Sequence, residues 1–294
     1  QPELTAGQVS LGLSPRRGLL SRAVILAVVV LVAAARPAQA DLAEAEAAYN
    51  AGDFAAAFKN LKPAAEGGDA EAQALIAGMY ARGQGTAADL GEAARWYGLA
   101  ADQGHLYATT MLGWFYMRGI GVEQDAVKGY RLLSRAAARG QPRAVEMKQA
   151  VAEKALAGLD DLVATEAQSQ SIDRRAAYFR IGQSFALGHG VPRLPEVAAE
   201  AFHRAANLGH RDSQYEYARR LDTGDGAPED ADAAFTWFQK AGEQGHADAL
   251  AMVGKAYLNG RGTAPNRGQA MVAITRARAA GSPIAKQILE DMSK

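Results

Sequence analysis

A large apolar residue, a pair of turn glycines and a terminating glycine recur along this chain in one register, 36 residues apart with a single departure, and that repetition constrains its fold more than any other feature. Tyr80 is followed 36 residues later by Tyr116; a step of 69 leads to Phe185, and further steps of 36 give Leu221 and Tyr257. Gly83, Gly119, Gly188, Gly224 and Gly260 keep that register, with Gly85, Gly121, Gly190, Gly226 and Gly262 two residues on. Ala100, Ala136, Ala205, Ala241 and Ala277 keep it too, as do Gly104, Gly140, Gly209, Gly245 and Gly281. Within one period, 72–104, Ala72, Ile76, Ala77 and Tyr80 form an apolar stripe at helical spacing. Gly83 and Gly85 then break the helix. Asp89 caps a second helix striped by Ala93, Trp96, Tyr97 and Ala100, which Gly104 ends. Helices of about a dozen residues are marginal alone in water, so each pair must stack on its copies.

The array is predicted to occupy 41–294. It comprises a shortened first repeat at 41–68, two regular repeats over 72–140, a departure at 141–173 and three regular repeats over 177–281. In the departure Ala144 keeps register, but Lys148 and Gln149 replace the Leu-Gly pair of Leu112 and Gly113, and no Gly-x-Gly turn follows. Arg143 to Leu156 reads as an unbroken helix, then Gly158, then a polar segment through Ser171. We read a degenerate repeat of two helices that keeps the stack continuous; the alternative is a hinge. Ser282 caps a final helix over 283–292, polar on one side as a terminal cap should be.

These residues resemble the Sel-one-like repeat family, relatives of the tetratricopeptide repeats. Ala108, Leu112, Gly113, Tyr116, Gly119, Gly121, Val122 and Asp125 match the first half of the family's unit; Ala234, Trp237, Ala241 and Gly245 match its second half. The resemblance implies an all-α fold, a right-handed α-α superhelix (solenoid) of about six helix-turn-helix repeats with a C-terminal capping helix. It also implies a non-catalytic scaffold that mediates protein–protein interaction in a bacterial envelope. Related cysteine-rich repeat proteins bind or hydrolyse β-lactams, so a cell-wall or β-lactam-acting enzyme is one alternative. An envelope polysaccharide-binding module is another.

Composition narrows the chemistry. Cysteine is absent, which removes disulfides, thiol nucleophiles and thiolate metal sites. Beyond residue 40 acidic side chains outnumber basic ones by three, which argues against a nucleic-acid partner. Residues 1–40 differ in kind. Arg16, Arg17 and Arg22 precede an apolar run of 13 residues from Ala23 to Ala35, then Ala38-Gln39-Ala40. That order describes a secretory signal peptide, and the run is shorter than the ~20 residues of a membrane span. Either Sec or twin-arginine export fits, and the mature chain would be periplasmic with no stable membrane insertion. An uncleaved inner-membrane anchor over 23–35 is the alternative.

Candidate reactive groups reduce to scaffold. His105, His210 and His246 each follow a terminating glycine in separate repeats, too far apart to share a metal. His203 lacks the partner of a zinc helix, and His189 sits at a variable turn position. Gly83 to Ala88 fits a dinucleotide fingerprint by spacing but follows a helix where that motif needs a strand. Asp160 and Asp161 are neighbours, and neighbours do not face each other on a helix. No cofactor, metal or catalytic group is expected. Surface recognition remains. The position two after Ile76 holds Gly78, Trp114, Gln183, Arg219 and Lys255, a range no core site tolerates. With Thr110 and Arg118 one turn either side of Trp114, this predicts a groove for a periplasmic protein or peptide passing Thr110, Trp114, Arg118, Gln183, Arg219 and Lys255.

Overall fold

A computed structural model describes residues 42–293; the signal segment expected at 1–40 lies outside them. Their helices are α1 (42–50), α2 (Phe54–Glu66), α3 (Ala70–Arg82), α4 (Leu90–Asp102), α5 (Leu106–Arg118), α6 (Ala126–Ala138), α7 (Pro142–Ala157), α8 (Leu159–Gln170), α9 (Arg174–Leu187), α10 (Pro195–Asn207), α11 (Arg211–Thr223), α12 (Ala231–Glu243), α13 (Ala247–Asn259), α14 (Arg267–Ala279) and α15 (Pro283–Met292). No strand occurs among the described residues, and within each unit sequence-adjacent helices pack together, α2 to α4 in the first and α8 to α15 in the second, the repeat solenoid that the periodicity predicts. The helices form two compact units that divide after Ala108.

In both units the turn glycines do two different jobs. The first ends a helix in the left-handed region, as at Gly260 with φ +67°, where a side chain would be strained. The second lets the next repeat approach. A Cβ on Gly226 would strike the Pro195 carbonyl at the start of α10, and one on Gly262 the Ala231 carbonyl at the start of α12. In the first unit Gly85 sits the same way on Phe54. Gly190 is open, with no atom within 4 Å of such a Cβ, and it follows the degenerate repeat.

Helices of one repeat close on each other at a second small residue. A Cβ on Gly113 of α5 would stand 3.0 Å from the Gly129 carbonyl oxygen of α6, and one on Gly182 of α9 would stand 2.9 Å from the Phe202 ring of α10. Gly254 of α13 faces Ile274 of α14 in the same manner. In α7 that register position is Gln149. Consistent with this, α7 packs on α6 and α10 and barely touches α8, which lies along α9 instead.

Polar side chains link successive repeats. Buried Gln73 donates to the Ala65 carbonyl (3.0 Å) and accepts from Gln103 (2.8 Å). Gln214 repeats the pattern in the second unit with Ala206 (3.3 Å) and Gln244 (2.7 Å). The three histidines that follow terminating glycines are N-caps. The Nδ1 atoms of His105, His210 and His246 accept from the amides of Ala108, Ser213 and Ala249 at 3.1, 3.2 and 3.2 Å. Cap residues also reach back one repeat. His105 Nε2 lies 3.0 Å from Glu71, and the Ser282 hydroxyl donates to Asp248 at 2.6 Å.

Two predictions follow from this packing. Gly98, inside α4 with no atom within 4 Å of an added Cβ, should gain about 0.5–1 kcal/mol on Gly98→Ala. Gly182→Ala, against the Phe202 ring, should cost about 1–3 kcal/mol; urea titration of both variants checks the opposite signs.

The caps respond to acid. An Nδ1 that accepts a backbone amide must be unprotonated, and a positive imidazole opposes the helix dipole. Burial pushes His210 and His246 below the ordinary histidine value, with the Asp212 carboxylate the main influence opposing it at both. The folded chain then holds fewer protons than the unfolded one. Stability is therefore full above about pH 6.5 and declines as pH falls through the folded values. The His210→Asn/His246→Asn double variant, whose amide oxygens cap without titrating, should lose less melting temperature between pH 7.5 and 5. The difference should be roughly 1 kcal/mol per cap, and parallel melting curves for the two proteins would remove these histidines from the effect.

Candidate partner-binding site

The cleft that best combines apolar floor and free charge lies between the repeats 211–245 and 247–281. It encloses ≈ 320 Å³. Phe235 and Phe238 of α12 and Met252 of α13 supply apolar lining, and Lys255 and Asn259, one turn apart on α13, stand exposed at its edge. The Asp230 cap fixes the start of α12 by accepting from the Ala233 amide at 2.9 Å. Phe235 is held edge-on against Tyr257, ring centroids 5.2 Å apart.

Arg261 closes one end. Its Nε donates to Asp222 at 2.6 Å and its Nη2 to the Asp222 carbonyl at 2.6 Å and to Glu229 at 2.7 Å. Asp222, then Glu229, raise its pKa, so this guanidinium is a fixed positive clamp whose hydrogen-bonding capacity is largely taken. Lys255 is different: it makes no ion pair or hydrogen bond with any described residue. A cation beside two phenylalanines and a methionine is suited to a ligand that brings an apolar side chain and a carboxylate together.

The six sequence-predicted residues all lie in the second unit, and the structure gives them unlike environments. Lys255 lines the cleft just described. Trp114 is half-buried, with the Arg118 guanidinium 5.0 Å from its ring centroid. Gln183 is exposed, and Arg219 is exposed beside Glu216 at 3.6 Å. Thr110 must be corrected: it is fully buried and presents no side chain to a surface. Its register position is held by Ala74 and Ala251, both buried too, so it belongs to the packing stripe although it stands one turn from Trp114. Sequence reading missed Phe235, Phe238, Met252 and Arg261. Their signal was available only in part, since an aromatic at 235 reads as ordinary core until its open edge is seen.

Among the described residues no group of three or more His, Asp or Glu side chains is placed to hold a metal ion, and no helix is long and apolar enough to cross a membrane. Asp160 does not act as half of a pair with Asp161. It accepts from Tyr178, Arg174 and Arg204, an ion-pair cluster that ties α8 to α9 and α10.

No curated protein matches the chain. Among solved structures, c5321, a protective antigen of uropathogenic Escherichia coli strains displaying an SLR fold, is 26% identical over 78% of this chain with a TM-score of 0.39; this chain spans only 50% of its length. A Sel1 repeat protein from Oxalobacter formigenes is 25% identical, with 83% of this chain and 86% of that one covered and a TM-score of 0.36. The Sel1 repeat pattern matches residues 37–69, 70–105, 106–141, 175–210, 211–246 and 247–272. The segment it passes over carries α7 and α8. Six repeats in register over most of its length mean that the chain belongs to the Sel1 repeat family, whose members generally mediate protein–protein interaction.

Proposed function

We propose that this chain is an exported, non-catalytic scaffold that holds a protein partner in the periplasm, gripping it at the cleft between the repeats 211–245 and 247–281. The observation that carries the reading is Lys255, an unpaired cation at the edge of a floor made by Phe235, Phe238 and Met252. A partner segment that inserts an apolar side chain and sets a carboxylate on Lys255 satisfies both. The basic leader, the apolar run from Ala23 to Ala35 and Ala38-Gln39-Ala40 support export. The non-catalytic reading rests on where the polar groups are spent. Histidines cap helices, and the carboxylates around Arg261, Arg174 and Arg204 are held in ion pairs. Sugar stacking has less support, because the face of Tyr217 is stacked on His203 at 4.6 Å and Lys240 sits 4.0 Å over Trp237.

Crosslinking in intact cells, followed by mass spectrometry, should recover one dominant periplasmic partner with the native chain. The Phe235→Ala/Lys255→Glu variant should recover about tenfold less of it at an unchanged circular dichroism spectrum. Equal recovery by both proteins would reject this cleft. A chain retained in the cytoplasm with residues 1–40 attached would reject export.

A further inference from the structure

We propose that a groove beside α7 is a second docking site, and that it receives a basic amphipathic helix of a partner protein. In the regular repeats of this unit, the face of the first helix that carries the crossing glycine is covered by the repeat's own second helix. Gly113 is covered by α6, Gly182 by Phe202 of α10 and Gly254 by Ile274 of α14. In α7 the corresponding position holds Gln149. The regular repeats of this unit hold glycine there, or in α11 the small Ala218, which is buried against α12; the longer Gln149 side chain keeps a second helix from closing on that face. The chain turns through Gly158 and α8 packs along α9, while α7 leans directly on α10.

The uncovered face opens on a groove of ≈ 690 Å³. Tyr130 of α6 and Val145, Gln149, Ala152 and Leu156 of α7 line it, and α8 contributes nothing to it. The four α7 positions fall at helical spacing, one stripe on one face. Val145 is 38% exposed, a large apolar side chain left without cover. The groove therefore stands where a regular repeat seats its second helix, bounded by the preceding and following second helices, α6 and α10. Its geometry matches a helix that presents small and apolar residues at i, i+3, i+4 and i+7.

Charge sets the chemistry of that helix. Glu153 of α7 and Glu196 of α10 both line the groove, and neither has a basic partner among the described residues. The one lysine on the wall, Lys148, has its ammonium 5.5 Å from the Tyr130 ring centroid. The rim is thus net acidic, and an occupant flanked by Lys or Arg pairs both carboxylates. This site shares no residue with the cleft at Lys255 and stands or falls separately from it.

Fluorescence anisotropy on the full mature chain provides the test. The probe is a labelled helical peptide of about 14 residues with an Ala/Leu stripe and Lys flanks; its control carries Glu flanks. The Lys peptide should bind and weaken with salt, and Glu153→Lys/Glu196→Lys should reduce its affinity about tenfold. Ala152→Trp, which fills the groove, should abolish binding, while Phe235→Ala/Lys255→Glu leaves it intact. Should Ala152→Trp unfold the chain by circular dichroism, the exposed charge reversals decide alone. Equal binding of the two peptides, no binding of either, or indifference to the charge reversal overturns the proposal. So does a dimer in sedimentation that the charge reversals dissociate, since a second copy would then be the occupant.

Discussion

Backbone approach at positions without a side chain is the interaction on which this architecture depends. Helices of 13 residues gain too little from their own hydrogen bonds to persist singly. They persist because Gly113, Gly182 and Gly254 let one helix lie against its partner, and because Gly226 and Gly262 let a turn rest on the start of the preceding repeat's second helix. The large residues then fill what the small ones leave: Tyr97 in the first unit, Phe202 and Ile274 in the second, all nearly inaccessible to solvent. Where Gln149 replaces the crossing glycine, the same logic runs in reverse. The pairing of α7 with α8 is lost, and a groove takes its place.

Several buried or half-buried polar side chains among the described residues serve continuity between repeats. Gln73 and Gln214 each bond to the repeat before and are bonded by a glutamine 30 residues on, at the end of their own repeat, so a buried amide is satisfied on both its ends. Histidines, aspartates, an asparagine and a serine cap the helices, the expected use of short polar acceptors where four amides lack partners. What the repeats leave unsatisfied are Lys255 at the edge of an aromatic floor, and Glu153 and Glu196 around an uncovered helix face, and both proposed docking sites are built on them. The scaffold is thus regular, and the proposed sites lie where it is interrupted or left open, the usual division between a fold and the function it carries.

The period of 36 residues, the helix limits and the turns were legible before any coordinates, because each is written locally in glycine, a capping residue and an apolar stripe. The step of 69 also marked the one irregular repeat, and the loss of the Leu-Gly pair marked where it departs. The candidate site was legible only in fragments. Lys255 was found from the variability of its register position, whereas Thr110 was misplaced because a step of four residues overshoots the 3.6-residue turn by about 40°, which sets Thr110 into the core while Trp114 stays half-buried. The histidines were recognised as periodic, but their role as caps depends on an Nδ1 directed at an amide, which spacing alone does not reveal.

The sequence by itself determined that short helices pair and stack, since period and small-residue spacing admit no other way to bury the stripes. Tertiary structure alone decided which edges stay open, because exposure at Phe235 or Val145 depends on side chains brought from other helices rather than on local spacing. A local pattern fixes what a residue can pack against. Only the assembled stack fixes whether anything arrives to cover it.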